Sequence, residues 1–130
     1  MRYFTIAEAE ALIPELERAF ADVAELAAQA EVKAASLRRR RAGGADDDAA
    51  EAIERAQLKY LAQRVDERLR AIVELGAVPK GVEPALVDFP HRLDGRDVYL
   101  CWRLGEKRVT HYHGVDEGFD GRKPLPRPAR

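Results

Sequence analysis

Residues 86–104 read LVDFPHRLDGRDVYLCWRL, and this stretch decides the fold of the C-terminal half. On both sides of Asp94-Gly95 the apolar side chains recur with a period of two, which is typical of two antiparallel strands joined by a type I′ turn. Gly105-Glu106 suits a second two-residue turn, and a third strand would follow it over 107–113. The pattern therefore predicts a three-stranded antiparallel β-meander within residues 85–114.

Two-residue turns would fix the register of this meander, because residues equidistant from a turn lie opposite each other and share a face. The more apolar face would pack on the helices, and it would hold Val87, Phe89, His91, Val98, Leu100, Trp102, Val109, His111 and His113. The outer face would leave Tyr99, Cys101 and Tyr112 available for another contact. A three-residue loop over 105–107 is the alternative, and it would place Cys101 opposite His111.

Upstream of the strands, the apolar residues recur at spacings of three and four, which indicates helices. Thr5 and Glu8 form a capping box before the first of them. We predict one helix over residues 6–41, kinked near Pro14 because a proline removes a backbone hydrogen bond. A short first helix that ends before Pro14 is the alternative.

The first helix should turn at Gly43-Gly44 into a second helix over residues 46–76. Asp46, Asp47 and Asp48 would cap its start, and Gly76 would be the residue after its end. The fold class is therefore α+β, with a long antiparallel helical hairpin followed by the small β-meander. Residues 115–130 are rich in glycine and proline and predict an irregular tail, so that residues 1–130 form a single domain.

The composition excludes several classes of function. The 22 basic and 23 acidic residues nearly cancel, so no overall field attracts nucleic acid or an anionic membrane. The single cysteine cannot form an intramolecular disulfide, and no apolar run is long enough to span a bilayer. We expect a cytoplasmic protein that does not associate with membranes.

The predicted register brings the three histidines, His91, His111 and His113, to one end of one sheet face. Asp116 and Glu117 follow closely and would add oxygen ligands. Such a set suits zinc or another divalent metal. The simpler interpretation, which the sequence favours, is that these histidines donate hydrogen bonds to carbonyl or carboxylate oxygens and that no cofactor is bound. The alternative register would strengthen the metal interpretation, because it moves Cys101 beside His111.

Four consecutive arginines, Arg38, Arg39, Arg40 and Arg41, lie near the predicted hairpin tip and suggest contact with RNA, the ribosome or an acidic protein. Adjacent arginines point around the whole helix, however, and no aromatic residues alternate with them to stack on bases. Cations also favour a helix C-terminus for electrostatic reasons. Nucleic acid is therefore disfavoured as a partner.

Several strings resemble a small bacterial family known only as domain of unknown function 2203. They are Leu86–Pro90, Gly95-Arg96, Val98–Trp102, Gly105-Glu106, His111–His113 and Asp116–Arg122, together with Phe4-Thr5, Glu8-Ala9 and Leu12–Pro14 near the N-terminus. The resemblance spans nearly the whole chain and implies a bacterial, cytoplasmic setting without an assigned activity. It draws attention to the charged residues inside the matching strings, which are Asp88, Arg96, Arg103, Glu106, Asp116, Glu117 and Arg122.

Three hypotheses about function follow. The first is a non-enzymatic interaction or scaffold protein that forms a homodimer or a larger homo-oligomer, because two long helices cannot fully bury their apolar stripes against each other. The second is a metal-binding protein or metal-dependent hydrolase that uses the histidine cluster. The third is association with RNA or the ribosome through the arginines.

Overall fold

A computed structural model describes residues 2–44 and 48–126. The fold is α+β, as predicted, with the helices before the sheet. The helices are α1 (Ile6–Ala11), α2 (Ile13–Gly43) and α3 (Asp48–Glu74). The strands are β1 (Val78–Val82), β2 (Ala85–Leu93), β3 (Arg96–Arg103), β4 (His111–Gly114) and β5 (Lys123–Pro124), and a 3₁₀ helix spans Phe119–Gly121.

The antiparallel sheet in the described residues has five strands in the order β1-β2-β3-β4-β5, so the prediction of three strands was wrong. The two additional strands lie at the edges of the sheet. β1 contains Pro79 and Gly81, which are poor strand formers. The sequence pattern therefore did not predict this strand. β5 is only two residues long.

The chain divides into two compact units. One unit comprises the residues up to Phe20 together with those from Ala71 onward, and the other comprises Ala21–Arg70. The first unit contains the sheet and the second contains most of α2 and α3. A single domain over residues 1–130 stays a prediction.

The predicted capping box is present at the start of α1. The Thr5 hydroxyl accepts a hydrogen bond from the Glu8 N–H at 3.0 Å, and the Glu8 carboxylate accepts one from the Thr5 N–H at 2.8 Å. The structure has two helices, α1 and α2, where the sequence predicted one kinked helix, and the break falls at Leu12. Pro14 lies in the first turn of α2, where a backbone N–H has no helical partner to lose. The short first helix of the alternative is thus the observed arrangement.

Within the helical unit, α2 and α3 run antiparallel. Asp22 pairs with Arg68 at 3.5 Å, and Glu54 accepts hydrogen bonds from Ser36 at 3.0 Å and from Arg40 at 2.6 Å. The predicted caps Asp46 and Asp47 lie outside the described residues. After α3, Gly76 has a φ of +96°, the left-handed conformation expected just past a helix end.

One face of the sheet forms the core of its unit. Val87, Phe89, Leu100 and Trp102 on this face are completely buried. The ring of Phe4 packs edge-on against Phe89 with centroids 5.1 Å apart. Burial of large apolar side chains on this face is the main stabilising contribution of the sheet unit.

The turn between β2 and β3 is the predicted one. Asp94 and Gly95 have φ values of 52° and +79°, and Leu93 pairs with Arg96 directly across the turn. Positive φ at both central residues is the property of a type I′ turn. The register of β2 on β3 therefore follows the sequence prediction, with Val87 opposite Trp102 and Phe89 opposite Leu100.

The predicted two-residue turn at Gly105-Glu106 was wrong. β3 ends at Arg103 and β4 begins at His111, so residues 104–110 form a longer loop. The Glu106 carboxylate accepts a hydrogen bond from the Arg103 N–H at 2.7 Å, and the Glu106 carbonyl accepts one from the Trp102 indole at 2.9 Å. Cys101 consequently lies opposite His111, which is the register of the alternative loop.

The segment after β4, predicted to be irregular, contains two short regular elements within its described part. It forms the 3₁₀ helix and then β5, and the Leu125 N–H donates to the Thr110 carbonyl at 2.8 Å. Leu125 is buried. Residues 127–130 of the predicted tail lie outside the described part of the chain.

No helix among the described residues is both long enough and apolar enough to cross a membrane.

The core packing gives a direct stability prediction. Phe89→Ala should lower the free energy of unfolding by about 3 to 5 kcal/mol, because it removes a fully buried ring and its contact with Phe4. Val115→Ala is the control, because Val115 is 56% exposed, and its effect should stay within about 0.5 kcal/mol. Urea unfolding measures both. Similar small effects from the two variants would contradict the assigned core.

Candidate metal centre

Three neighbouring strands bring Asp88, Cys101 and His113 to the same face of the sheet. Asp88 on β2 lies opposite Cys101 on β3, and Cys101 lies opposite His111 on β4. Residues that lie opposite each other share a face, and so do residues two apart on one strand. His113 therefore joins Asp88 and Cys101 on the face opposite the Trp102 core.

The three side chains form one buried cluster. Their potential ligand atoms all lie within 4.8 Å of one another, and the His113 Nε2 to Asp88 Oδ2 distance is 3.0 Å. The exposed fractions are 3% for Asp88, 3% for His113 and 1% for Cys101. An imidazole nitrogen, a thiol sulfur and a carboxylate oxygen are the three donor types that zinc binds in proteins.

The backbone fixes the orientation of the His113 ring. His113 Nδ1 lies 2.8 Å from the Gly114 carbonyl oxygen, which only accepts hydrogen bonds, so Nδ1 carries a hydrogen and donates it. Nε2 then points at Asp88 and is the nitrogen available to a metal. Histidine ligands of metals are commonly held this way, with the second ring nitrogen donating to a carbonyl or a carboxylate. Tyr99 packs against the same ring with centroids 5.7 Å apart.

Burial shifts the protonation of the other two groups. It raises the pKa of the Asp88 carboxyl, and the hydrogen bond with His113 opposes this shift. It also raises the pKa of the Cys101 thiol to about 11, with the nearby charge of Asp88 acting in the same direction. Cys101 is therefore protonated at neutral pH and is not an activated nucleophile. A metal ion would have to displace the thiol proton to bind here.

A cavity of about 230 Å³ lies against this cluster. Asp88 and Cys101 form part of its wall. The rest is lined by Lys80 and Leu86 from the first two strands and by Glu117, Gly118 and Phe119 from the segment after β4. The cluster thus borders a space large enough for several non-hydrogen atoms.

Glu117 is held at the cavity by its neighbours. Its Oε1 accepts hydrogen bonds from the Gly114 N–H at 2.8 Å and from the Lys123 ammonium at 2.9 Å. These contacts, with that of Lys123 the stronger, lower the pKa of Glu117, so it is a carboxylate at neutral pH. A Cβ atom would lie 3.0 Å from a Glu117 carboxylate oxygen at Gly114 and 3.2 Å from one at Gly121. The absence of a side chain at these two glycines therefore leaves room for the Glu117 carboxylate.

The segment that carries Glu117 is attached to the loop before β4. Arg122 pairs with Glu106 at 3.0 Å, and its guanidinium lies 4.2 Å from the centre of the Phe119 ring. Arg103 approaches the same ring at 5.9 Å. These contacts hold the outer wall of the cavity over the cluster.

Comparison with known proteins identifies the family. A family model described as "uncharacterized conserved protein (DUF2203)" matches residues 2–125. The chain belongs to this family. The resemblance noted in the sequence is thereby confirmed, and the family description assigns no activity. No curated protein and no solved structure gives a significant match.

The histidines that the sequence grouped together are separated in this DUF2203 chain. His91 Nδ1 lies 2.6 Å from the Phe4 carbonyl oxygen, and His111 Nδ1 lies 2.8 Å from the Thr110 hydroxyl. Among the described residues, only His113 of the three belongs to a potential metal cluster. The predicted grouping depended on the two-residue turn at Gly105-Glu106, and the longer loop shifts His111 and His113 to the other face.

The other residues that the sequence predicted as site residues of the sheet unit do not lie together. Glu117 lines the cavity, and Asp116 is exposed. Tyr99 shares the face of Cys101 as predicted, but Tyr112 lies opposite Leu100 and so shares the face of the core. The prediction for Tyr112 was wrong for the same reason as the prediction for His111 and His113, because the register of β4 is shifted by one residue.

The four arginines lie at the end of α2 in the helical unit. Arg38 pairs with Glu31 at 2.8 Å and Arg40 pairs with Glu54 at 2.6 Å, whereas Arg39 and Arg41 are exposed. Two of the four positive charges are thus balanced by carboxylates within the unit.

Asp88 and Cys101 were not predicted as metal ligands. The sequence nevertheless contained a signal for each of them. Asp88 was one of the charged residues inside the family-like strings, and Cys101 entered the metal interpretation under the alternative register. The predicted register about Asp94-Gly95 already implied that Asp88 lies opposite Cys101, but the predicted turn at Gly105-Glu106 assigned His113 to the other face of the sheet.

The attachment of the outer wall can be tested through Arg122. Arg122→Met should lower the free energy of unfolding by about 1 to 2 kcal/mol, because it removes a half-buried ion pair and a cation–π contact. Arg70→Met is the matched control, since its pair with Asp66 is exposed and contributes only about 0.3 to 0.5 kcal/mol. Urea unfolding compares the two variants. Equal effects would show that the Arg122 contacts do not stabilise this wall.

Proposed function

We propose that this DUF2203 protein binds a divalent transition metal, with Zn²⁺ as the best fit, through Asp88, Cys101 and His113. The observation that carries the proposal is the convergence of three different donor atoms, all buried, within 4.8 Å of one another. Groups of exposed acidic residues are common on protein surfaces, whereas an aspartate is rarely buried without a partner, and here it is buried with an imidazole and a thiol close by.

The spacing of the donor atoms supports a tetrahedral ion. Metal–ligand distances of about 2.0 to 2.3 Å imply ligand-to-ligand distances of about 3.3 to 3.8 Å around a tetrahedral zinc. The cluster has one distance of 3.0 Å and a maximum spread of 4.8 Å. Small side-chain movements would therefore suffice to seat the ion.

A bound cation would replace the protons that the cluster holds, so zinc binding would release protons and strengthen as the pH rises. His113 and Asp88 share a hydrogen at their 3.0 Å contact, and a metal ion would take its place between them. Binding would also convert the Cys101 thiol to a thiolate, which is the form that ligates zinc. Three protein ligands leave a fourth position on the ion, as in zinc sites that bind water or an exogenous ligand.

Calorimetric titration of tag-free protein with Zn²⁺ tests the proposal. We expect one ion per chain with a dissociation constant of about 1 μM or lower. Cys101→Ser and Asp88→Asn should each weaken binding at least about a hundredfold, because each removes or weakens a ligand with little change in volume. His113→Gln should do the same.

His91→Ala and His111→Ala are the matched controls and should leave the affinity unchanged, since these histidines bond elsewhere. The unfolding midpoint of every variant should be recorded to confirm folding. One pattern would contradict the proposed centre. Zinc would still bind to Cys101→Ser, and its binding would instead be abolished by His91→Ala or His111→Ala.

Self-association is a second candidate property, favoured by a separate observation in the helical unit. Ile53 and Tyr60 of α3 are 59% and 55% exposed, and Val32 of α2 is 66% exposed. Residues seven apart lie on the same side of a helix, so Ile53 and Tyr60 form one apolar strip. A second copy of the chain is the proposed partner of this strip.

Sedimentation equilibrium tests this property. The wild type should form a dimer or larger oligomer at micromolar concentration, and Ile53→Glu combined with Tyr60→Glu should yield monomers by placing charges in the interface. Val115→Glu, at an exposed position in the sheet unit, should leave the oligomer intact. A wild type that is monomeric from micromolar to millimolar concentration would refute self-association.

A further inference from the structure

The cavity described above adjoins the proposed metal centre. Asp88 and Cys101 are common to the cluster and to the cavity wall. An ion held by these residues and His113 would therefore adjoin the cavity. Lys80 and Glu117, which also line it, are exposed, so a ligand can reach it from solvent.

Lys80 reaches the cavity from an irregular position in β1. Pro79 pairs with Val87 and Gly81 pairs with Leu86, so Lys80 is an extra residue without a pairing partner on β2. Such a bulge redirects a side chain, and bulges are frequent beside functional sites. A Cβ at Gly81 would lie 2.8 Å from the Pro84 carbonyl oxygen, so only glycine fits beside the bulge.

The charges around the cavity leave Lys80 as the group that can attract a ligand. Glu117 is already paired with Lys123. Lys80 forms no ion pair with any described residue, although its charge acts on Asp88 and its ammonium lies 5.9 Å from the Tyr99 ring. Arg122, whose charge also reaches Cys101, is paired with Glu106. Among the described residues around the cavity, Lys80 is thus the available cation beside the proposed metal position.

We propose that the cavity binds a small monocarboxylate with a short apolar group. One carboxylate oxygen would complete the coordination of the metal, and the other would pair with Lys80. The apolar group would contact Leu86 and Phe119. This inference rests on the proposed metal centre and adds the ligand class that the centre would take.

The cavity favours a monocarboxylate over inorganic phosphate for two reasons. A phosphate dianion carries more negative charge than a monocarboxylate, so the carboxylate of Glu117 would repel it more strongly. Phosphate would also leave its outer oxygens against Leu86 and Phe119, which offer no hydrogen bonds. The volume of about 230 Å³ suits a ligand of a few non-hydrogen atoms.

Cobalt-loaded protein provides the test, because the visible absorption of Co²⁺ reports both its binding and a change of its fourth ligand. Butyrate is the probe, and inorganic phosphate is the competitor. Butyrate should change the spectrum at concentrations up to about 50 mM, a range that reaches millimolar dissociation constants. Phosphate should change it less at equal concentration.

Lys80→Met should weaken butyrate binding at least about tenfold, because Lys80 pairs with the carboxylate of the ligand. The affinity for cobalt should not fall, because Lys80 does not bind the metal. Lys107→Met is the matched control, since Lys107 is 85% exposed and pairs with Glu17 at 3.8 Å. It should leave both affinities unchanged.

The possible failures are distinguishable. Absence of a cobalt spectrum would overturn the metal centre and, with it, the carboxylate site. A normal cobalt spectrum without a response to butyrate would overturn the carboxylate site alone. So would butyrate binding that is insensitive to Lys80→Met, or a stronger response to phosphate than to butyrate.

Discussion

The position of β4 on β3 depends on how Glu106 holds the loop between them. Its carboxylate accepts a hydrogen bond from the Arg103 N–H, and its carbonyl accepts one from the Trp102 indole. The Leu104 N–H donates to the Ala85 carbonyl at 3.0 Å, which extends the β2–β3 pairing by one residue beyond Arg103. β4 then begins at His111 with a register shifted by one residue from that of a two-residue turn. A shift of one residue moves every β4 side chain to the other face.

The composition of the candidate centre follows from this register. His113 leaves the face of the core and meets Asp88 and Cys101, which the turn at Asp94-Gly95 has already placed opposite each other. Glu106 contributes a second time through its ion pair with Arg122, which holds the segment that carries Glu117. The donor cluster and the wall of the neighbouring cavity therefore depend on the same acidic side chain.

The sequence predicted the features that depend on neighbouring residues. The capping box of Thr5 and Glu8, the type I′ turn at Asp94-Gly95 and the position of Gly76 after α3 all have local causes. The turn predicted at Gly105-Glu106 does not form, because Glu106 instead bonds the Arg103 N–H and the Trp102 indole. Its ion pair with Arg122, sixteen residues away, is a further contact that the local pattern does not contain. Of the three candidate metal residues, the sequence anticipated His113 as a ligand, and Glu117, another predicted ligand, lines the neighbouring cavity. His113 meets Asp88 and Cys101 only through the β4 register, which the sequence left open as an alternative.

X-ray absorption at the zinc edge of the zinc-loaded, full-length protein would test the assigned centre most directly, because it distinguishes sulfur from nitrogen and oxygen ligands. The structure predicts one sulfur at about 2.3 Å together with nitrogen and oxygen ligands at about 2.0 to 2.2 Å. Zinc bound without a sulfur ligand, mainly by several imidazoles, would contradict the proposed centre of Asp88, Cys101 and His113.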